Sequence, residues 1–183
     1  MKAFFLFLTV IFFSTKALGS IKDNIIQNLK EIENVRFNFE QNINGKIENG
    51  NCIIEYPKKI FCKYDNFNNK ILVSNGKSLV IKTQSGSYYR YSLKRTPLNY
   101  ILDKNFLINK IYNLNEKIIE KSYINYTISE NESVIDIFFD IKTYNLIGWQ
   151  TKDIYQNKSK TLLTSILLNQ KVNKQLFNLP LQN

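Results

Sequence analysis

Few residues in this chain could carry out bond chemistry. The sequence contains 2 cysteines, no histidine and 15 acidic residues. Without histidine there is no Ser/His or Cys/His nucleophilic pair and no zinc site that uses imidazole. Two carboxylates alone could still hydrolyse a glycosidic bond, but the acidic residues fall mostly in polar turns and on the outer faces of predicted strands. We therefore predict no catalytic residue, no metal ligand and no cofactor, and we rank an exported carboxylate hydrolase last among the functional hypotheses.

The first 19 residues have the pattern of an export signal. Lys2 supplies a positive start, residues 4–13 form an apolar run of about ten residues, and residues 17–19 end in glycine. An uncleaved membrane anchor is the alternative, but the run is shorter than the roughly twenty residues that span a bilayer. We predict that residues 1–19 are a signal peptide cleaved after Gly19. Residues 20–183 then form one domain in the periplasm, which we expect to be soluble because no cysteine stands directly after the cleavage point to be lipidated.

The mature chain is predicted to be basic. Cleavage removes Lys2 and Lys16 and no acidic residue, which lowers the formal net charge of +10 by two. Such a charge favours acidic partners, including lipid headgroups, other proteins or nucleic acid. The lysines are scattered, however, which is typical of a solvated surface. Export also removes nucleic acid from the expected partners.

The hydrophobic pattern changes period soon after the predicted cleavage site. Apolar residues recur at helical spacing from Ile21 to Ile32, with Ser20 placed to cap the helix, which predicts a helix over about 21–33. Residues 35–41 then alternate apolar and polar, as in a strand. From there to Tyr91 the chain reads as an antiparallel meander. Its predicted turns lie at Asn44-Gly45, Asn49-Gly50, Tyr56-Pro57, Asn68-Asn69, Asn75-Gly76 and Ser85-Gly86.

A second helix is predicted after the meander. Thr96 is placed to cap it and Pro97 to occupy its first position. Leu98, Ile101, Leu102 and Phe106 give this helix an apolar stripe. The remaining chain returns to strands over about 117–129, 133–141, 145–155 and 159–169.

A sheet this large must bury an apolar face with few helices to cover it. It can close on itself, or it can curl and place the helices across the opening. The second arrangement predicts a mainly β (α+β) fold, a curved antiparallel half-barrel of about 10–11 strands with two or three helices as a lid over an apolar cavity. An ordinary packed core is the alternative. The residues predicted to line the cavity are Leu29, Val35, Phe37, Phe39, Ile54, Tyr56, Ile60, Tyr64, Leu98, Ile101, Leu102, Phe106, Ile135, Ile137 and Phe139.

Several segments, in order and at fitting distances, carry a family resemblance. They are the strand of residues 35–41, the hairpin made by Gly50, Tyr56-Pro57 and residues 61–64, the strand and turn of residues 71–79, and the passage from residues 89–93 into Thr96-Pro97-Leu98. No single motif is specific, but their order is. With the export signal, most of the chain resembles the outer-membrane lipoprotein carrier (LolA) family.

The resemblance implies a half-barrel that carries lipoproteins from the inner to the outer membrane by burying their acyl chains. An inner-membrane ABC transporter would load the carrier, and an acceptor at the outer membrane would take the cargo. The carrier itself would be a monomer that binds no nucleotide, which agrees with the lack of a glycine-rich phosphate loop in the sequence. Two alternatives stay open: an envelope module that senses lipid or unfolded protein and binds a protein partner, and a carrier of another lipid.

The chain departs from the family pattern in its hairpin. Tyr56 stands where the family commonly has an arginine that is thought to hold the lid shut through lid backbone groups. A phenol has one donor where guanidinium has five, so we expect lid closure to be weaker or arranged differently. Cys62 replaces a usual aromatic residue and, with a turn near Pro57, falls almost opposite Cys52. An oxidising compartment would allow a disulfide, and two buried thiols are the alternative.

Overall fold

The computed structural model describes residues 19–65, 69–131, 133–152 and 157–182. Residues 1–18 of the predicted signal peptide lie outside these ranges, so that prediction and the domain boundary at residue 20 stay predictions. Part of the predicted Asn68-Asn69 turn and the end of the predicted strand 145–155 also lie outside them.

One antiparallel sheet of eleven strands forms most of the fold. The strands are β1 (Asn34–Ile43), β2 (Lys46–Glu55), β3 (Lys59–Tyr64), β4 (Ile71–Asn75), β5 (Ser78–Lys82), β6 (Tyr88–Ser92), β7 (Lys117–Ile119), β8 (Tyr123–Glu130), β9 (Ser133–Asp140), β10 (Leu146–Lys152) and β11 (Lys158–Leu168). Their order across the sheet is β6-β5-β4-β3-β2-β1-β11-β10-β9-β8-β7. Pairing of β1 with β11 therefore joins two meanders into a single curved, open sheet.

Within the described ranges three α-helices accompany the sheet: α1 (Ile21–Glu31), α2 (Leu98–Ile101) and α3 (Lys104–Asn113). α1 begins as predicted, because the Ser20 hydroxyl accepts from the Asp23 N–H while the Asp23 carboxylate accepts from the Ser20 N–H. Its inward side buries Ile25 and Leu29, and it packs against α3. The predicted fold class, a mainly β half-barrel with two or three helices, is confirmed.

The predicted turn at Asn49-Gly50 is wrong. Both residues lie inside β2, where Gly50 pairs with Phe39 on one side and Tyr64 on the other. A Cβ at Gly50 would lie 2.2 Å from the Lys63 carbonyl oxygen and 2.8 Å from the Phe39 ring. The glycine is needed for this close approach and not for a turn.

The predicted second helix is also corrected. The chain forms a 3-10 turn at Leu93–Arg95, then the short α2, and then a separate α3. Thr96 does not cap α2: Pro97 takes the N-cap position and not the first helical one, and the Thr96 hydroxyl donates to the Leu93 carbonyl. A new cap restarts the helix at Asp103, whose carboxylate accepts from the Phe106 N–H at 3.1 Å.

The single strand predicted over 117–129 is two strands, β7 and β8. Glu120 and Lys121 between them both adopt positive φ angles, of 48° and 55°. Two consecutive left-handed residues make the tight turn that reverses the chain. Neither residue type signals such a turn, and the sequence pattern therefore missed it.

The C-terminal segment covers the outer face of the sheet at β3 to β5. A 3-10 turn at Lys174–Phe177 contacts β3 and β4. Phe177 is buried there, as are Val73 and Val80, whose side chains point away from the concave face. The Lys82 ammonium group donates to the Leu181 carbonyl at 2.8 Å, which holds the end of the segment against β5.

Candidate functional site

A cavity of about 290 Å³ lies between α2 and the concave face of the sheet. Its floor and walls come from β1 to β5, β10 and β11, and its roof comes from Pro97, Leu98 and Ile101. Neither α1 nor α3 lines it, and neither do β8 and β9. The cavity is therefore confined to the part of the sheet that the shortest helix covers.

The cavity has an apolar inner end and a polar outer end. Ile60, Leu79 and Ile101 at the inner end are at most 4% exposed. At the outer end Ile43 is 37% exposed and Ser159 is partly exposed. Alternation along β1 makes this gradient, because Phe39, Gln41 and Ile43 follow one another on the same face and run toward solvent. An amphipathic ligand fits such a gradient better than a wholly apolar one.

A hydrogen-bond network organises the polar end. The Gln41 amide donates to the Thr161 hydroxyl at 3.1 Å and to the Ser159 hydroxyl at 3.3 Å. Its carbonyl oxygen accepts from the Tyr64 hydroxyl at 3.3 Å. Burial and the nearby Glu48 carboxylate raise the pKa of Tyr64, so the phenol stays protonated and able to donate. In this arrangement the nitrogen side of the Gln41 amide faces the Ser159 and Thr161 hydroxyls, and the oxygen side faces Tyr64.

An ion pair closes one side of the polar end. The Lys70 ammonium group pairs with Glu48 and lies 3.7 Å from the centroid of the Tyr64 ring. Burial alone would raise the pKa of Glu48, but hydrogen bonds and charges from Lys70 and Lys46 outweigh it, so the pKa lies below its usual value. Glu48 is therefore ionised at neutral pH and pairs with both Lys70 and, at 3.3 Å, Lys46.

Cys52 and Cys62 form a disulfide beneath the cavity in the structure. They are register partners on β2 and β3, with their Cα atoms 4.1 Å apart. Both side chains line the cavity floor. Mass measurement of the purified protein with and without reductant distinguishes this bridge from two thiols.

α2 is held to the sheet by the residue after the hairpin proline. The Lys58 N–H donates to the Leu102 carbonyl at 2.7 Å, and its ammonium group lies 3.2 Å from the Asp103 carboxylate. The Ser74 hydroxyl in turn donates to the Lys58 carbonyl at 2.9 Å. Tyr56, singled out in the sequence at this hairpin, donates its backbone N–H to the Glu33 carbonyl instead. The contact between hairpin and lid is thus made two residues later than Tyr56.

The fifteen residues predicted to line the cavity separate into two groups. Phe39, Ile60, Tyr64, Leu98 and Ile101 do line it. The other ten pack elsewhere in the continuous apolar core or against it: Leu29, Val35, Phe37, Ile54, Tyr56, Leu102, Phe106, Ile135, Ile137 and Phe139. Phe37 supports the wall indirectly, since its ring meets Trp149 edge to face at 6.2 Å.

Sequence reasoning missed most of the polar end and much of the far wall. Thr151, Ser159 and Thr161 line the cavity from β10 and β11, and Leu72, Leu79 and Ile81 line it from β4 and β5. The signal in the sequence was weak, because β4 and β5 are only five residues long. Ser159 and Thr161 do alternate with lysines at positions 158 and 160, and this alternation could have identified the inward side of β11.

The family model for the outer membrane lipoprotein carrier protein LolA matches residues 30–180. The chain belongs to the LolA family. The family resemblance read from the sequence is therefore confirmed. No curated protein matches the chain.

The solved structure of MucB is similar to this LolA-family chain, with a TM-score of 0.51 and 8% identity over 90% of this chain and 64% of that chain. The chain thus spans less than two thirds of the length of MucB. A LolA superfamily protein from Nitrosomonas europaea aligns with a TM-score of 0.44 and 7% identity, over 86% of this chain and 97% of that one. At such identities MucB supports the half-barrel fold alone. None of the helices in the described ranges has the length and hydropathy needed to cross a membrane.

Proposed function

We propose that this protein is a periplasmic carrier that shields acyl chains of lipoproteins and ferries them from the inner to the outer membrane. The observation that carries the proposal is an apolar, half-open cavity beneath a short helical lid in a member of the LolA family. Its partners would be an inner-membrane ABC transporter that loads it and an outer-membrane acceptor that unloads it. The carrier makes and breaks no covalent bond, and residues 1–19 serve as its export signal.

The mechanism is reversible burial of hydrocarbon. Each methylene removed from water contributes about 0.8 kcal/mol, so about six methylenes contribute roughly 5 kcal/mol. This is enough to keep a chain out of water during transit. Release stays feasible because α2 is only four residues long and is joined to the sheet by few polar contacts.

Native mass spectrometry of the protein purified from its own envelope, followed by lipid extraction, tests the proposal. We expect a population that carries acylated cargo and loses it under denaturing conditions. A protein that always has its bare mass, with no acyl chain in the extract, would contradict a carrier role. A stable complex with a protein and no lipid would favour a regulatory module.

Variants connect the cargo to the cavity. Phe39→Asp places a charge on the cavity wall and should abolish cargo binding, provided that circular dichroism shows a folded protein. Leu98→Ser on the lid is milder and should reduce the cargo-bound fraction about fivefold, since it removes part of one leucine's burial. Ile108→Ser is the matched control, because Ile108 is partly buried on α3 and does not line the cavity.

A further inference from the structure

Three hydroxyl groups stand together at the outer end of the cavity. Thr151 on β10 is the register partner of Ser159 on β11, and Thr161 lies two residues further along the same face. All three side chains line the cavity. Thr161 is 3% exposed, so its hydroxyl is nearly as buried as the apolar wall beside it.

The network leaves two of these hydroxyls ready to donate. Ser159 and Thr161 both accept from the Gln41 amide nitrogen, and a hydroxyl that accepts one hydrogen bond still has its own hydrogen to give. The Gln41 carbonyl oxygen is turned the other way and accepts from the Tyr64 hydroxyl. The outer end therefore presents neighbouring O–H donors to whatever occupies the cavity.

The charge of the site decides whether an anionic or a neutral hydrogen-bond acceptor binds at the outer end. Lys70 is the only cation on the described cavity wall, and it is paired with Glu48. An anionic carboxylate or phosphate would have to compete with the Glu48 carboxylate for Lys70, and the second cation on Glu48, Lys46, does not line the cavity. A neutral carbonyl oxygen needs only the hydroxyl donors.

From these contacts we infer that the hydroxyl cluster of Thr151, Ser159 and Thr161 binds the carbonyl oxygen of an acyl ester or amide. The inference rests on the proposed function and adds to it a direction for the bound chain. The methyl end lies beneath α2 and the ester or amide linkage lies at the cluster. The reverse direction would bury a carbonyl among Ile60, Leu79 and Ile101, where it would lose its hydrogen bonds to water without replacement.

Two detergents of equal chain length test the linkage. Dodecanoyl sucrose carries an ester carbonyl next to its chain, and dodecyl maltoside carries an ether oxygen at the same place. Titration calorimetry below the concentration at which either aggregates gives both dissociation constants. We expect the ester to bind about fivefold more tightly, the worth of roughly one hydrogen bond.

Substitutions at the cluster separate its role from that of the apolar wall. Thr161→Val keeps the side-chain shape, and Ser159→Ala removes only an oxygen. Each should abolish the ester preference while the affinity for the ether stays within twofold of the unmodified protein. Thr164→Val is the matched control, because Thr164 lies on the outer face of the same strand, and it should leave the preference intact.

The outcomes distinguish this inference from the function on which it rests. Equal binding of the two detergents by the unmodified protein, or a preference that survives both substitutions, overturns the inference and leaves the carrier role standing. Binding of neither detergent overturns both.

Acyl ester linkages occur both in lipoproteins and in phospholipids, and competition identifies the source. A synthetic diacylated lipopeptide and dilauroyl phosphatidylglycerol are each used to displace dodecanoyl sucrose. Displacement by either supports recognition of the linkage, and the one that acts at lower concentration is the preferred source. Displacement by neither overturns the inference.

Discussion

Two regions of the concave face carry the same alternation of large apolar residues, yet one is filled and the other is hollow. In the filled region, β8 and β9 lie with α1 and α3, and Tyr126 and Phe139 pack there without measurable exposure, their ring centroids 6.1 Å apart. In the hollow region a cavity of about 290 Å³ remains between α2 and the strands β1 to β5, β10 and β11. Strand pattern alone therefore does not decide whether a curled sheet encloses a cavity.

The difference comes from the helices and from a few side chains. α1 and α3 have 11 and 10 residues and pack against each other, whereas α2 has 4. The longer pair reaches the sheet's far side, where Lys110 of α3 pairs with Glu130 of β8 at 2.6 Å. In the hollow region the inward side chains of β11 include the small Ser159 and Thr161, whereas in the filled region β8 contributes the large Tyr126. Small side chains and a short lid together leave the space.

The largest expected difference between the two regions is the loss in the free energy of unfolding when a phenylalanine ring is removed. Phe139→Ala opens a void in the filled region and should lower the free energy of unfolding by about 4 kcal/mol. Phe39→Ala enlarges a space that already exists and should cost about half as much, because its surroundings are less completely packed. Urea denaturation measures both. Equal losses would show that the two regions are packed alike.

Larger side chains should affect ligand binding in the hollow region and stability in the filled region. Ile81→Trp places a large ring in the cavity and should weaken binding of a fluorescent fatty-acid analogue at least tenfold with little loss of stability. Ile137→Trp in the filled region should destabilise the fold by about 1–3 kcal/mol through overpacking. Fluorescence titration and thermal unfolding measure the two effects. Unchanged binding by a folded Ile81→Trp protein would mean that acyl chains bind elsewhere.

The rim of the hollow should make stability depend on pH. Because the pKa of Glu48 is lowered in the folded state, its contribution is present above its unfolded pKa and is lost as the pH falls through the folded value. Glu48→Gln should cost about 1–2 kcal/mol at pH 7, since it leaves Lys70 without its charged partner. Urea denaturation at pH 7 and pH 3 should give a difference between the two proteins that shrinks in acid. A constant difference would assign the loss to packing.

The smallest effect is expected at the contact between hairpin and lid. Lys58→Ala removes the ion pair with Asp103 but keeps the backbone hydrogen bond to Leu102, and should cost about 0.5 kcal/mol, because both charges are partly exposed. Hydrogen exchange should quicken in α2 and stay unchanged in α1. Lys30→Ala, on an exposed position of α1, is the control. Uniformly faster exchange would mean that the pair stabilises the whole fold and not the lid.

Much of the fold could be predicted because burial on one side of a strand imposes a period of two. Residues 35–41 show it clearly, and the structure places Val35, Phe37 and Phe39 on one buried face. The errors have local causes. Gly50 was predicted to be a turn residue, but it is a glycine because the Phe39 ring leaves no room for a side chain there. The turn at residues 120–121 was missed because it has no sequence signature.

The candidate site was harder to predict than the fold. Ile60 and Ile135 both belong to inward-facing strand positions, but only Ile60 borders the space beneath α2. Whether an inward residue borders the cavity depends on where each helix ends. The Asp103 cap starts α3 directly after α2, and the sequence pattern did not predict that cap. The hydroxyls of β11 were overlooked because a search for apolar lining passes over polar residues.

The C-terminal segment gives the hollow region a rigid backing. Phe177 packs over the outer face of β3 and β4, so this stretch of sheet is supported on the face opposite the cavity. Bending it to admit a larger guest would disturb the packing of Phe177 against that outer face. Changes in cavity volume therefore come from movement of the four-residue α2, because the C-terminal segment holds the opposite wall in place.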